Sequence, residues 1–343
     1  MPTIRDVAKL ARVAPITASR VINNSGYASA EVRQRVNQAV KQLGYVPNFL
    51  ARSLRSKRTR TLALVLTDIT NPFWTTVARG VEDAASEEGY NVIFCNTDES
   101  ASKQARYLEA LIQKRVDGIL LVPARSKENP IELLNHHNVK VVLLDRRLPN
   151  KEADVVRCDS SGGAYQLVQL LLKLGHRRIA ILSGPSGVSS ADDRVAGYQQ
   201  ALQEAGLETE DQLIIYGEFS LESGYQMTHD LLAMTPRPTA LFASNNFIAI
   251  GALKALHDAG VTVPEEMSVV GFDDLPAAIV VEPFLTVAFQ PAYEMGRRAT
   301  KRLLECLDGQ VTDGIQEIVL PVSIIERKST QAVTEGDIVP DPK

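Results

Sequence analysis

The side chains of this 343-residue chain that are suited to chemistry stand where short apolar runs end. Asp68 and the motif Asn71-Pro72-Phe73-Trp74 follow TLALVLT, and Asp145, Arg146 and Arg147 follow VKVVLL. Phe219 closes LIIYGEF, Asn245 closes TALFASN, Asp273 and Asp274 close SVVGFDD, and Gln290 closes LTVAFQ. Ser189 to Arg194 reads as a further polar loop ahead of a helix. Together these groups offer carboxylates and amides for hydroxyls, guanidinium donors, and flat rings that stack on the apolar face of a sugar.

They do not form a catalytic set. SGPSG precedes a helix but lacks the Lys-Ser/Thr that completes a phosphate loop, and no GxGxxG follows the first apolar run. No GxSxG elbow occurs, and His136-His137 has no third ligand at metal spacing. Cys95, Cys158 and Cys306 are far apart, without CxxC spacing, and are expected to be reduced core residues. An enzyme, a cofactor and a metal are therefore not expected.

The elements that position these residues alternate. From residue 61 the apolar runs TLALVLT, NVIFCNT, GILLVPA, VKVVLLD, RIAILSG, LIIYG, TALFASN and SVVGFDD are separated by stretches with helical periodicity. That alternation predicts an α/β fold with parallel sheets, and eleven or so strands are too many for one comfortable sheet. Two lobes facing a cleft are expected, with ligand bound at the carboxyl ends of the strands. Helices at about 74 to 89 and 102 to 115 have apolar faces that could serve the sheet or a second subunit.

Ahead of this body lies a small basic head. Residues 1 to 60 carry 12 Lys and Arg against 2 Asp and Glu, and the remainder carries 25 against 39, within a whole-chain net charge of -4. A cationic module on an acidic body is the footprint of polyanion binding, because cationic side chains release counterions condensed on phosphates. Thr3 with Asp6 forms a capping box ahead of a first helix over about 3 to 11. Arg12-Val13-Ala14 is a turn, Pro15 opens a second helix, Ser29 caps a third, and Gly44 ends it. Three helices with a tight turn predict a helix-turn-helix whose second helix enters the major groove. Its candidates for contact are Pro15, Ile16, Thr17, Ser19 and Arg20: Ile16 for a thymine methyl, Arg20 for a guanine edge, and Thr17, Ser19 and Asn23 for phosphates. Ile16 has a competing reading as packed core.

The stretch IRDVAKLARVAPITASRVINNSGYASAEVRQRVNQAVKQLGYVPNFLARSL resembles the head of the lactose/galactose repressor family. Where that family usually has Ser, this chain has Ala14, so a helix cap worth about 1 kcal/mol is missing. The resemblance implies DNA contacts at Thr3 and in a hinge helix, where Asn48 and Ala51 meet the minor groove and Leu54 is wedged between base steps. It continues to about residue 330, over a regulatory domain similar to periplasmic sugar-binding proteins. There it implies effector contacts at Phe73, Trp74, Asp145, Arg194, Phe219, Asn245, Asp273 and Gln290, with Arg146 as a further candidate. Where the family often reads Asn-Asp, Asn245-Asn246 keeps the first position and leaves the second without a charge.

The expected organisation is a DNA-binding head at 1–46, a hinge at 47–60, a body at 61–330 and a polar tail at 331–343. The lobes are expected from 61–160 with 291–322, and from 161–290 with 323–330. The expected function is transcriptional regulation, as a repressor, by a homodimer on a palindromic DNA operator under allosteric control by a monosaccharide. A purine or nucleoside effector is the alternative, since two rings could sandwich a base, and a sugar binder without DNA control is a second. No apolar run reaches the roughly 18 residues of a spanning helix, and the polar opening MPTIRD is not a leader. No membrane role and a cytoplasmic location are expected.

Overall fold

The computed structural model describes residues 2–46, 58–126, 128–150, 152–275, 283–310 and 314–333. The chain divides into two compact units, Met1–Thr59 and Arg60–Lys343. The first holds α1 (Ile4–Ala11), α2 (Pro15–Ile22) and α3 (Ala30–Leu43). Val7, Ala8, Ala11, Ala18, Val21, Val36 and Ala39, all at helical spacing, close on one another as its core. Arg12 turns left-handed at φ 52° between α1 and α2, and Gly44 does so at φ 58° after α3. The Ser29 side chain accepts from the Val32 N–H, as a capping serine should.

The second unit is α/β. Its elements in chain order are β1 (Thr61–Leu66), α4 (Pro72–Glu87), β2 (Asn91–Asn96), α5 (Ala101–Gln113), β3 (Gly118–Leu121), α6 (Pro130–His136), β4 (Lys140–Leu144) and β5 (Asp154–Cys158). Then follow α7 (Ser160–Lys173), β6 (Ile179–Ser183), α8 (Ser189–Glu204), β7 (Ile214–Tyr216), α9 (Leu221–Leu232), β8 (Ala240–Ala243), α10 (Asn246–Asp258) and β9 (Ser268–Phe272). The chain ends its regular structure with β10 (Thr286–Phe289), α11 (Ala292–Leu307), β11 (Glu317–Leu320) and β12 (Ser323–Ile325).

These strands form two six-stranded sheets, ordered β11-β5-β4-β3-β1-β2 and β12-β10-β9-β8-β6-β7. The chain passes between the lobes after β5, before α11, and between β11 and β12. All pairings are parallel except that of β12 with β10, which is antiparallel and departs from the all-parallel expectation. Because β12 follows β11 after only two residues, the chain leaves the first sheet at the carboxyl ends of its parallel strands and enters the second sheet at the same edge, so it runs against the strands there. β3, β6, β8 and β9 are buried on both faces, which is why their sequences are unbroken apolar runs rather than alternating ones.

Helices cover both faces of each sheet, and some pack backbone to backbone. Gly80 of α4 faces the Tyr293 carbonyl of α11, and Gly296 of α11 faces the Val77 carbonyl of α4. Gly224 of α9 and Gly251 of α10 lie in the same reciprocal way against Ile248 and Leu221. Cys95 and Cys158 are buried, but Cys306 of α11 is only half-buried, with its thiol 3.4 Å from Asp154 Oδ2. No helix among the described residues is long and apolar enough to cross a membrane.

The reciprocal glycine contacts carry a stability test. A Cβ at Gly251 would fall inside the Leu221 carbonyl oxygen, a backbone atom that cannot swing aside. Gly251→Ala is expected to cost about 1 to 3 kcal/mol in thermal or urea unfolding, as overpacking typically does. An unchanged transition would show that α9 and α10 can separate freely.

Candidate functional site

A cleft of about 490 Å3 opens at the carboxyl ends of the two sheets, a size suited to a small organic ligand. Phe73, Trp74, Asp145, Arg146, Arg194, Phe219, Asn245, Asp273 and Gln290, the nine side chains singled out in the sequence, all line it.

The two carboxylates occupy equivalent places in the two lobes. Asp145 directly follows β4 and donates its N–H to the Val156 carbonyl of β5 at 2.9 Å; Asp273 directly follows β9 and donates to the Ala288 carbonyl of β10 at 3.0 Å. Both take left-handed backbone, φ 62° and φ 69°. Asp tolerates that region better than most residues, and such conformations persist where surrounding structure imposes them. Neither caps a helix among the described residues. Gln290 Nε2 donates to Asp273 Oδ1 at 2.5 Å, while Gln290 Oε1 has no partner among the described residues. Burial pushes the Asp273 carboxyl up to about 6, with Asp145 adding to the rise and Arg194 and the Gln290 bond opposing it.

The two arginines are less free than their sequence positions suggest. Arg146 is buried and held in a bidentate pair by Glu99 at 2.8 and 2.6 Å, with a third bond to the Pro123 carbonyl at 3.0 Å. Its guanidinium stands 5.7 Å from the Phe219 ring centroid. Arg194 is no surface residue. It lies in the second turn of α8, which begins at Ser189, so the loop expected over Ser189 to Arg194 is helix instead. Val188 takes the capping place without a side-chain cap, so the serines that look like a loop start the helix. Only 3% exposed, Arg194 donates to the Ser244 carbonyl at 2.7 Å and packs over Phe272 with its guanidinium 4.0 Å from the ring centroid.

Phe73 and Trp74 sit in the first turn of α4, where Asn71 Oδ1 accepts from the Phe73 N–H at 3.0 Å. Their rings meet edge to face, with centroids 4.8 Å apart and planes at 72°, and so are not a parallel pair that sandwiches a base between them. Phe219 lies in the turn between β7 and α9, with its ring so close over Gly184 that a Cβ there would force the ring to shift. Asn245 caps α10 by accepting from the Ile248 N–H at 2.8 Å. Asp98, Glu99 and Glu218 also line the cleft without having been candidates, although Asp98 directly follows the run NVIFCNT, a position that could have marked it.

In the separate head, Ile16 is 57% exposed, which removes the packed-core reading. Pro15 and Arg20 are also exposed, and Thr17, Ser19 and Asn23 are half-buried. Asn23 Nδ2 donates to the Ser19 carbonyl at 2.8 Å and to its hydroxyl at 3.2 Å, tying both side chains together. The Asp6 carboxylate accepts from the Thr3 N–H and hydroxyl, each at 2.7 Å, and these bonds hold its pKa below the ordinary value. Ala14 supplies no side-chain cap to α2, as its methyl requires. Asn48, Ala51 and Leu54, expected in a hinge, lie outside the described residues, as does most of the expected tail.

Two families match this chain: "Periplasmic binding proteins and sugar binding domain of LacI family" over residues 59–328, and "Bacterial regulatory proteins, lacI family" over residues 3–48. The chain is 37% identical to the ribose operon repressor of Halalkalibacterium halodurans over 96% of its own length and 98% of that protein. Among solved structures, it resembles the lac repressor dimer bound to operator and an anti-inducer, with TM-score 0.85 and 28% identity over 96% of this chain and 99% of that one. It also resembles a ribose-bound LacI family regulator from Enterococcus faecium, with TM-score 0.71 and 31% identity over 80% of this chain and 100% of that one.

The electrostatics of Asp273 give a pH test with a defined sign. Its raised pKa means that its contribution to folding is complete below 3.8 and is lost as pH rises through about 6, so at pH 7 the buried charge is a stability cost. The shift bounds that cost at about 3 kcal/mol. Asp273→Asn is therefore expected to raise the melting temperature at pH 7 and to bring it no gain at pH 4. A lower melting temperature at pH 7 would mean that the charge is well solvated or fully paired.

Proposed function

The chain belongs to the LacI family of bacterial regulatory proteins, and from that membership and the chemistry of the cleft we propose that a neutral monosaccharide, with D-ribose the first candidate, controls it. The protein is an effector-controlled, DNA-binding transcriptional repressor and not an enzyme. It binds operator DNA through the head, which we assign to residues 1–46, and acts as a homodimer, as is typical of the family. A palindromic operator follows from two-fold symmetry. Residues 47–60 are assigned to the hinge on the family resemblance. A cytoplasmic site of action follows from a target that is chromosomal DNA.

The observation that carries the effector reading is the facing pair of strand-end carboxylates, Asp145 and Asp273, in a cleft that also holds three aromatic rings and three amides, Asn71, Asn245 and Gln290. Carboxylates accept from sugar hydroxyls, Asn245 and Gln290 serve either sense of hydrogen bond, and rings cover C–H faces. The lining includes Asp68, Asp98, Glu99, Asp145, Glu218 and Asp273 against only Arg146 and Arg194, and both arginines already hold protein acceptors. A phosphate group would meet an acidic wall, so the free sugar is favoured over its phosphate. The edge-to-face Phe73-Trp74 geometry weighs against a purine held between those two rings.

Calorimetry of the purified protein with D-ribose, D-ribose 5-phosphate, D-glucose and hypoxanthine tests the reading. D-ribose is expected to bind and its 5-phosphate to bind at least tenfold more weakly, and Asp145→Ala is expected to abolish the D-ribose signal. Binding of hypoxanthine alone, or of the phosphate in preference to the free sugar, would overturn it.

A further inference from the structure

We infer that Asn71 and Asn246 form an uncharged latch that joins the two lobes at the rim of the cleft and sets how readily the cleft closes on its ligand. The inference rests on the assignment of the cleft as the effector site only for its consequence on affinity; the latch itself rests on geometry.

The two residues are 175 positions apart and come from different lobes, Asn71 from the start of α4 and Asn246 from the start of α10. Each donates its Nδ2 to the other's Oδ1 at 2.9 Å, a closed ring of two hydrogen bonds between carboxamides. Asn71 is 6% exposed and Asn246 1% exposed, so water does not compete for these groups. Buried amides left unpaired would each carry a desolvation penalty, which makes the pair nearly all-or-none. A relative shift of about 1 Å between the lobes takes both bonds past hydrogen-bonding range.

The latch is joined directly to the ligand-facing residues on both sides. Asn71 Oδ1 also accepts from the Phe73 N–H, fixing the turn that carries Phe73 and Trp74. Asn246 follows Asn245, the cap of α10 that lines the cleft. Other ties between the lobes among the described residues include a neutral one, from the Arg147 N–H to Ser189 Oγ at 2.8 Å, and ionic ones. Arg147 and Asp193 pair at 2.7 and 2.7 Å, and Arg125 and Glu218 stand 3.9 Å apart at an exposed position. Salt weakens those, but it does not screen a neutral amide pair. Neutrality is also what allows reciprocity: an Asp at 246 could accept from Asn71 but would have nothing to donate in return.

The test is a distance measurement in the full-length protein that needs no ligand. Nitroxides placed on Ser102→Cys and Glu222→Cys, at exposed positions in the first turns of α5 and α9, with Cys306→Ser to remove the accessible thiol, report the width of the cleft. The latch predicts one narrow distance distribution, which in Asn246→Ala gains a longer-distance population and in Asn246→Asp changes less. High salt should leave the unsubstituted distribution narrow. D-ribose affinity in Asn246→Ala should fall about tenfold, the loss expected for two neutral hydrogen bonds. An unchanged distribution in both variants would overturn the latch. A distribution that opens as expected in a protein that binds no D-ribose would leave the latch standing and sink the sugar assignment.

Discussion

Asp145 and Asp273 occupy left-handed backbone at the ends of β4 and β9, and the arrangement of the cleft depends on that constraint. Parallel strands all deliver their carboxyl ends to one edge of a sheet, so two such sheets in one chain can present those edges to a common space. A strand that simply ran on would carry its next side chain up or down from the sheet. The left-handed residue breaks the strand while its own N–H still holds the neighbouring strand, at Val156 and at Ala288. Each lobe thereby offers one carboxylate on a rigid mount. The same device appears twice because the two lobes repeat the same strand–helix logic.

The cost of this arrangement is visible in the buried polar groups. Asp273 sits where burial disfavours its charge, and the only bond to it among the described residues comes from Gln290, whose own oxygen is unpaired. Arg194 Nε also has no partner among the described residues. Polar groups left short of partners are expected where a ligand completes the network, since a ligand that binds only the folded state offsets what the empty site sacrifices. Arg146 likewise has no hydrogen-bond partner for its Nε among the described residues, but Glu99 and Pro123 hold its two terminal nitrogens and its guanidinium backs Phe219.

Much of this was legible in the sequence because strand ends and helix starts leave strong local marks. Unbroken apolar runs locate the buried parallel strands, and the residue after each run falls at the cleft by topology alone. Ser29, Pro15 and Gly44 mark helix ends by their own conformational preferences. What escaped had no such mark. Ser189 to Arg194 looks like a loop because serine and aspartate favour turns as well as helix starts, and tertiary packing decides between them. Glu99 and Glu218 are ordinary surface residues in sequence and become part of the site only through the fold. The pairing of Asn71 with Asn246 spans the two lobes, a relation that no local pattern encodes. The antiparallel β12 depends on the shortness of its connection to β11 rather than on its own residues.

Effector control requires that occupancy of the cleft and occupancy of DNA by the head alter one another's free energy. By linkage, an effector that changes operator affinity by some factor must have its own affinity changed by operator by the same factor, typically about 5- to 150-fold. The most direct measurement is therefore reciprocal: the Kd for an operator obtained by in vitro selection, with and without saturating D-ribose, and the Kd for D-ribose, with and without that operator. Two equal ratios that differ from one are the predicted result, and their direction identifies D-ribose as inducer or corepressor. Two ratios of one, with both ligands bound, would contradict the account.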